Sequence, residues 1–183
     1  MSEVSQRQVK IAYIVPRDLK KKGLTLENFT AKLAEFTAEV ENFSDAELDH
    51  HVVFEDGEPI HQHRLTMIKA STFACKIVKL ERCSVWPEMG KRKWLRGMIP
   101  TAEKLIQNKA AKDDPLFDMV EYARRGLYDS IPLILFPRAS NNEQFRIDDG
   151  NHRALSRFIA GATDALAYVG SIEKKLNHCW PIS

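Results

Sequence analysis

Phe145-Arg146-Ile147-Asp148-Asp149-Gly150-Asn151-His152-Arg153-Ala154-Leu155 is the stretch on which the fold turns. Phe145 and Ile147 alternate with polar residues, the pattern of a short half-buried strand. Asp149-Gly150 is turn chemistry, and the glycine is free to take a positive φ or to let a ligand approach the backbone. Asn151 suits a helix cap, while Ala154, Leu155, Phe158 and Ile159 mark one face of a helix that Gly161 stops. A strand turning sharply into a helix is therefore predicted, with His152 and Arg153 in the first helical turn. Amide N–H groups and the positive end of the helix dipole gather there. A cation at that end is unfavourable, and a bound anion offsets it. The plainer alternative is a corner whose His and Arg are merely solvated. The convergence of Gly, His and Arg on one helix start favours the anion site.

Asp149-Gly150-Asn151-His152-Arg153-Ala154 also resembles the signature box of the ParB/sulfiredoxin superfamily, in which Gly-x-His-Arg or Gly-x-Arg-Arg follows a strand and precedes a helix. Ile131–Phe136 is similar to the family's preceding strand, and Ala165–Val169 to the strand after the helix. The likeness is firm across 131–169 and looser back to Thr72; residues 1–70 have no counterpart. The resemblance implies an α/β (α+β) single domain, a small mixed sheet flanked by helices. Residues 71–183 would form its core and 1–70 an N-terminal strand, helix and hairpin extension.

What the resemblance implies for function is a nucleotide-phosphate cradle. Gly150, Asn151, His152 and Arg153 would bind the nucleotide, with Lys91 and Arg92 as further contacts. His152 and Arg153 would hold phosphate oxygens, Arg153 through its planar donor fork. Asp149, and secondarily Asp148, would hold Mg2+ between phosphates of ATP or another NTP. Strand alternation separates these two carboxylates, and Asp149 is favoured because it sits at the turn. Asp149, His152 and Arg153 would form the catalytic set for NTP hydrolysis, with DNA cleavage as a second activity. Family members include partition-protein nucleotide switches, sulfinic acid reductases, a free-serine kinase and nucleases. Plasmid fertility-inhibition proteins of the Osa type also belong and are close in size. That branch implies an inhibitor of conjugative DNA transfer whose partner is a conjugation or secretion apparatus protein. A sulfinic acid reductase is not expected, because Asn151 stands where that chemistry needs a thiolate.

Two other classes fit the same residues. One is a nucleic-acid-binding module using the turn for a backbone phosphate. The other is a non-catalytic protein that blocks a partner through its N-terminal helix and hairpin. Arg153→Ala is expected to lose nucleotide affinity and keep the fold.

The 183 residues are 44% hydrophobic and 28% charged, an ordinary globular balance with one sizeable core. Lys plus Arg number 27 against 25 Asp plus Glu, so any basic patch must be local. The densest basic run is Lys91-Arg92-Lys93-Trp94-Leu95-Arg96, where cations beside an aromatic suit phosphate contact and base stacking. Its alternative is a solvated loop with Trp94 plugging the core. Cys75, Cys83 and Cys179 lack metal spacing, as expected of free thiols in the cytoplasm. No membrane span or signal peptide is expected.

Along the chain, Val9–Val15 reads as a strand ended by Pro16, and Thr25–Phe43 as a helix. Ser44-Asp45-Ala46-Glu47 has capping-box spacing. His51–Leu65 reads as a hairpin about Asp56-Gly57, placing His61 and His63 on one strand face as a weak metal pair. Met67–Leu80 reads as strand, and Pro100–Ala111 as helix. A further helix starts at Asp114-Pro115 and ends at Gly126. Arg138–Glu143 reads as a polar loop. Ser171–Ser183 reads as a tail with one helical turn at Glu173–Leu176.

Overall fold

The computed structural model describes residues 2–59, 61–85, 93–95, 97–98, 115–138 and 141–172. The expected helix at 100–111, the N-cap at Asp114 and the turn at 173–176 lie outside these residues. The protein is mixed α/β, and it divides into two compact units. Unit 1 is Met1–Cys75 with Tyr168–Ser183; unit 2 is Lys76–Ala167. Two long strands, β2 (Ser71–Lys79) and β7 (Asp164–Ile172), contribute a part to each unit. No helix among the described residues is long and apolar enough to cross a membrane.

Unit 1 starts with β1 (Ser2–Val4), antiparallel to β2 with Ser2 opposite Cys75. Helix α1 (Gln6–Leu19) follows, where a strand over Val9–Val15 was expected. The helix buries Val9, Lys10, Ala12, Tyr13, Ile14, Val15, Pro16 and Leu19, which lie on more than one of its sides. A helix packed on several sides has no single apolar stripe, so its period is hidden behind a run of β-branched residues. Pro16 lies inside it, a local cost that this burial overrides. The legible signal is at its start. Ser5 N–H donates to Gln8 Oε1 at 2.9 Å and Gln8 N–H to Ser5 Oγ at 3.2 Å, a Ser-x-x-Gln capping box.

Helix α2 (Phe29–Glu41) is shorter than the expected Thr25–Phe43 and buries Phe29, Phe36 and Val40. The capping box at Ser44 and Glu47 forms as expected and opens α3 (Asp45–Val53). The expected hairpin is therefore two helices, α3 and α4 (Gln62–Lys69). The Asp56-Gly57 turn does form: Glu55 and Glu58 pair across it, with φ of 51° at Asp56 and 86° at Gly57. The turn chemistry was sound, but the cap at Ser44 carries Val52 and Val53 into helix instead of strand. Asp49 binds the helices together, with Lys10 Nζ at 2.5 Å and Lys69 Nζ at 2.6 Å.

Among the described residues, unit 2 holds four whole strands and parts of β2 and β7, in the order β2-β7-β5-β6-β3-β4. They include β3 (Cys83–Val85), β4 (Lys93–Trp94), β5 (Leu133–Arg138) and β6 (Asn141–Asp149). Central β5 buries Leu133, Ile134, Leu135 and Phe136 completely, as its unbroken apolar run requires. Strand β6 is antiparallel to β5 and parallel to β3. It begins at Asn141, so part of the expected polar loop is strand. Helix α5 (Pro115–Arg124) packs against α6 (Asn151–Ile159), and Gly126 follows α5 with φ 70°.

Candidate phosphate site at the β6–α6 corner

The strand–turn–helix corner forms where the sequence places it. Strand β6 ends at Asp149, Gly150 has φ 92°, and α6 begins at Asn151. Gly150 holds the N-cap position, so Asn151 is the first helical residue and not the cap. The first bond of the helical ladder runs from Ala154 N–H to Gly150 O at 2.8 Å. The amides of Asn151, His152 and Arg153 precede it, at the positive end of the helix.

Glycine is required here for two reasons. Its φ lies in the left-handed region. A Cβ would also stand 2.7 Å from Leu133 Cδ2 and 2.8 Å from Arg153 Nη2. The close approach is thus made by the protein's own core.

Arg153 is not the exposed helix-start arginine of the sequence reading. Only 6% of it is accessible. Its Nη2 donates to Asp149 Oδ2 at 3.0 Å and to Pro132 O at 3.4 Å. The guanidinium therefore folds back under the turn and ties the end of β6 to the approach of β5. Its Nε, also buried, has no hydrogen bond among the described residues. One helical turn on, Arg157 is equally buried. It donates to Tyr128 O and Asp164 O, each at 3.2 Å, and pairs with Asp129 at 3.1 Å. Burial pushes the pKa of Arg157 down; Asp129 opposes this, and the neighbouring charge of Arg153 adds to it.

The two carboxylates differ in setting. The β5–β6 register slips between Ile134 and Leu135: Leu135 faces Ile147, whereas Ile134 faces Asp149. Asp148 is thus the extra residue of a β-bulge, a device that re-aims side chains beside sites. Simple strand alternation does not describe this pair. Asp149 has one oxygen tied to Arg153, while Asp148 sits half-buried on the bulge. His152 is exposed on the first turn of α6. Asp148, Asp149, Gly150, Asn151, His152 and Arg153 are therefore brought together at one corner. Lys91 and Arg92 lie outside the described residues.

Trp94 is half-buried on β4, and the Arg138 guanidinium lies 5.3 Å from its ring centre. Arg138 had no role in the sequence reading, and no local signal marks it, because the contact joins strands far apart in sequence. His61 and His63 do not share a strand: His61 precedes α4 and bonds Glu55 at 2.6 Å, while His63 lies in the helix. No group of three metal-ligating side chains occurs among the described residues. Cys83 is buried, which pushes its thiol up to about 12. Comparison of the chain with protein-family models, with characterised proteins and with solved structures finds no match.

Proposed function

We propose that unit 2 binds a nucleoside triphosphate by its phosphates at the β6–α6 corner and hydrolyses it with Mg2+, with DNA cleavage as a second activity. The observation that carries this reading is the convergence at Gly150: an aspartate pair on a bulged strand end, a left-handed glycine and a helix start bearing His152. The first-turn amides and His152 receive the phosphate oxygens. Arg153 acts from beneath, fixing Asp149 and adding buried positive charge close to the helix start.

The residues fit Mg2+ in one respect: this ion is held by one or two carboxylates together with phosphate oxygens, not by a full protein cage. Asp148 and Asp149 would both supply carboxylate oxygen, Asp149 through its Oδ1, since Oδ2 is tied to Arg153. Bound there, the ion would neutralise charge on the phosphates. Positioning of the phosphates by the corner amides and His152 is the chain's own contribution. The likeness of the box to the ParB/sulfiredoxin superfamily supports the reading. It also suggests the setting: a cytoplasmic, plasmid-encoded inhibitor of conjugative transfer that meets a conjugation or secretion apparatus protein.

The test is turnover of ATP and of single- and double-stranded DNA with Mg2+ or with chelator. Wild type, Asp148→Asn and His152→Ala are compared, because both substitutions leave the Arg153–Asp149 pair in place. Turnover requiring Mg2+ and falling by on the order of a hundredfold in both variants is expected. Turnover unchanged in the variants, or none with any metal, would sink the hydrolase assignment.

A further inference from the structure

Away from the corner, unit 2 carries a row of residues across four strands. Phe136 on β5 pairs with Arg146 on β6, Arg146 with Ser84 on β3, and Ser84 with Trp94 on β4. Directly paired residues share a sheet face, so the four side chains stand in line on one face. The row covers three inter-strand steps, about 14 Å, which exceeds the spacing of successive phosphates on a strand. Phe136 and Ser84 are buried at its floor. Two guanidinium–aromatic pairs accompany the row: half-buried Arg146 is 5.7 Å from the buried Phe136 ring and exposed Arg138 is 5.3 Å from the half-buried Trp94 ring. Arg138 is exposed and makes no ion pair among the described residues. Trp94 closes the row on the last of the described strands, β4.

We propose that this face binds a single strand of DNA, with a base stacked on the Trp94–Arg138 pair and the adjoining phosphate on the Arg138 guanidinium. The charge fixes the class of ligand, because an exposed guanidinium without a carboxylate is complementary to phosphate. The aromatic fixes its form, because stacking needs a base face that a duplex hides. A protein partner would use the apolar floor, but Phe136 is wholly buried and offers none. The choice of DNA rests on the reading of unit 2 as an enzyme of nucleotides and DNA.

The experiment titrates the full chain against labelled oligo(dT) in chelator, so that binding is read without cleavage. Arg138→Gln is the key variant, since Arg138 is exposed and its loss leaves the core alone. Wild type should bind with a clear salt dependence. Arg138→Gln should weaken binding about tenfold and reduce the salt slope by about 0.7, the share of one phosphate on a single strand. Trp94→Ala should lose about ten- to a hundredfold, and Trp94→Phe much less. Circular dichroism verifies that each variant is folded. Binding unchanged in both Arg138→Gln and Trp94→Ala would overturn the proposal. So would equal affinity for a duplex of the same length, or tighter binding of oligo(U). ATP turnover by the same wild-type preparation separates the two readings. Arg138-dependent oligo(dT) binding without turnover overturns the corner reading and supports this one; turnover with no dependence on Arg138 and Trp94 does the reverse.

Discussion

Lys10 in unit 1 and Arg153 in unit 2 are both 6% exposed, yet the two regions use a buried cation differently. At the helix junction of unit 1, Asp49 lies 2.5 Å from Lys10 and 2.6 Å from Lys69. One carboxylate on α3 thus holds a lysine from α1 and another from α4, and the junction is an internal brace. At the β6–α6 corner, Arg153 meets one carboxylate and one carbonyl, and its Nε has no hydrogen bond among the described residues. A second buried guanidinium, Arg157, lies one turn away. A bulge and a left-handed glycine adjoin it. A bulge, a left-handed glycine and two buried, paired guanidiniums thus collect at the corner, and bulges recur beside binding sites, whereas the brace of unit 1 is one carboxylate between two lysines.

This comparison can be broken by substitution. Arg153→Ala should have the largest effect, destabilising unit 2 by about 3 kcal/mol, because a buried pair is broken and packing is lost. Urea unfolding followed by circular dichroism measures it. A change near zero would return Arg153 to the surface role that the sequence suggested. Gly150→Ala should cost about 2 kcal/mol, from backbone strain and the contact with Leu133. A neutral result would show that the left-handed turn is not enforced.

Lys10→Met should cost less, about 1 kcal/mol, because Lys69 remains to neutralise Asp49. A loss as large as that of Arg153→Ala would erase the contrast between the regions. The brace should also be acid-sensitive. Burial raises the pKa of Asp49, but hydrogen bonds from Lys10 and Lys69 outweigh it and hold the carboxyl below its ordinary value. A depressed carboxyl contributes stability above its unfolded pKa of about 4, and that stability is lost as pH falls through the lower folded value. Asp49→Asn should flatten the fall in stability below about pH 4; an unchanged acid limb would remove Asp49 as its source. The smallest effect expected is in labelling: Cys75 should alkylate in the native protein and Cys83 should not, since burial holds Cys83 as thiol. Equal rates would contradict that.

The corner was legible because its signals are local. Asp-Gly after an alternating strand leaves few conformations to the chain, and Gly150, α6 and β7 follow the pattern closely. The helices of unit 1 were not legible in the same way. Val9–Val15 is apolar on several sides because it is packed on several sides, so its helical period is hidden. The better signal, Ser5 with Gln8, is polar and easily passed over. Within the site, the sequence located Arg153 but not its direction. Whether a side chain at a helix start turns out to solvent or back beneath Gly150 depends on Leu133 and Pro132, which belong to another strand and its approach. The Arg138–Trp94 contact is illegible for the same reason, since two strands lie between its members.

The most direct measurement of the corner's role is a backbone amide spectrum of the full chain titrated with a non-hydrolysable ATP analogue and Mg2+. The account predicts that Gly150, Asn151, His152, Arg153 and Ala154 shift most, saturating together, and that His152→Ala weakens the titration about tenfold. Shifts confined to other residues, or an unchanged titration in His152→Ala, would contradict it.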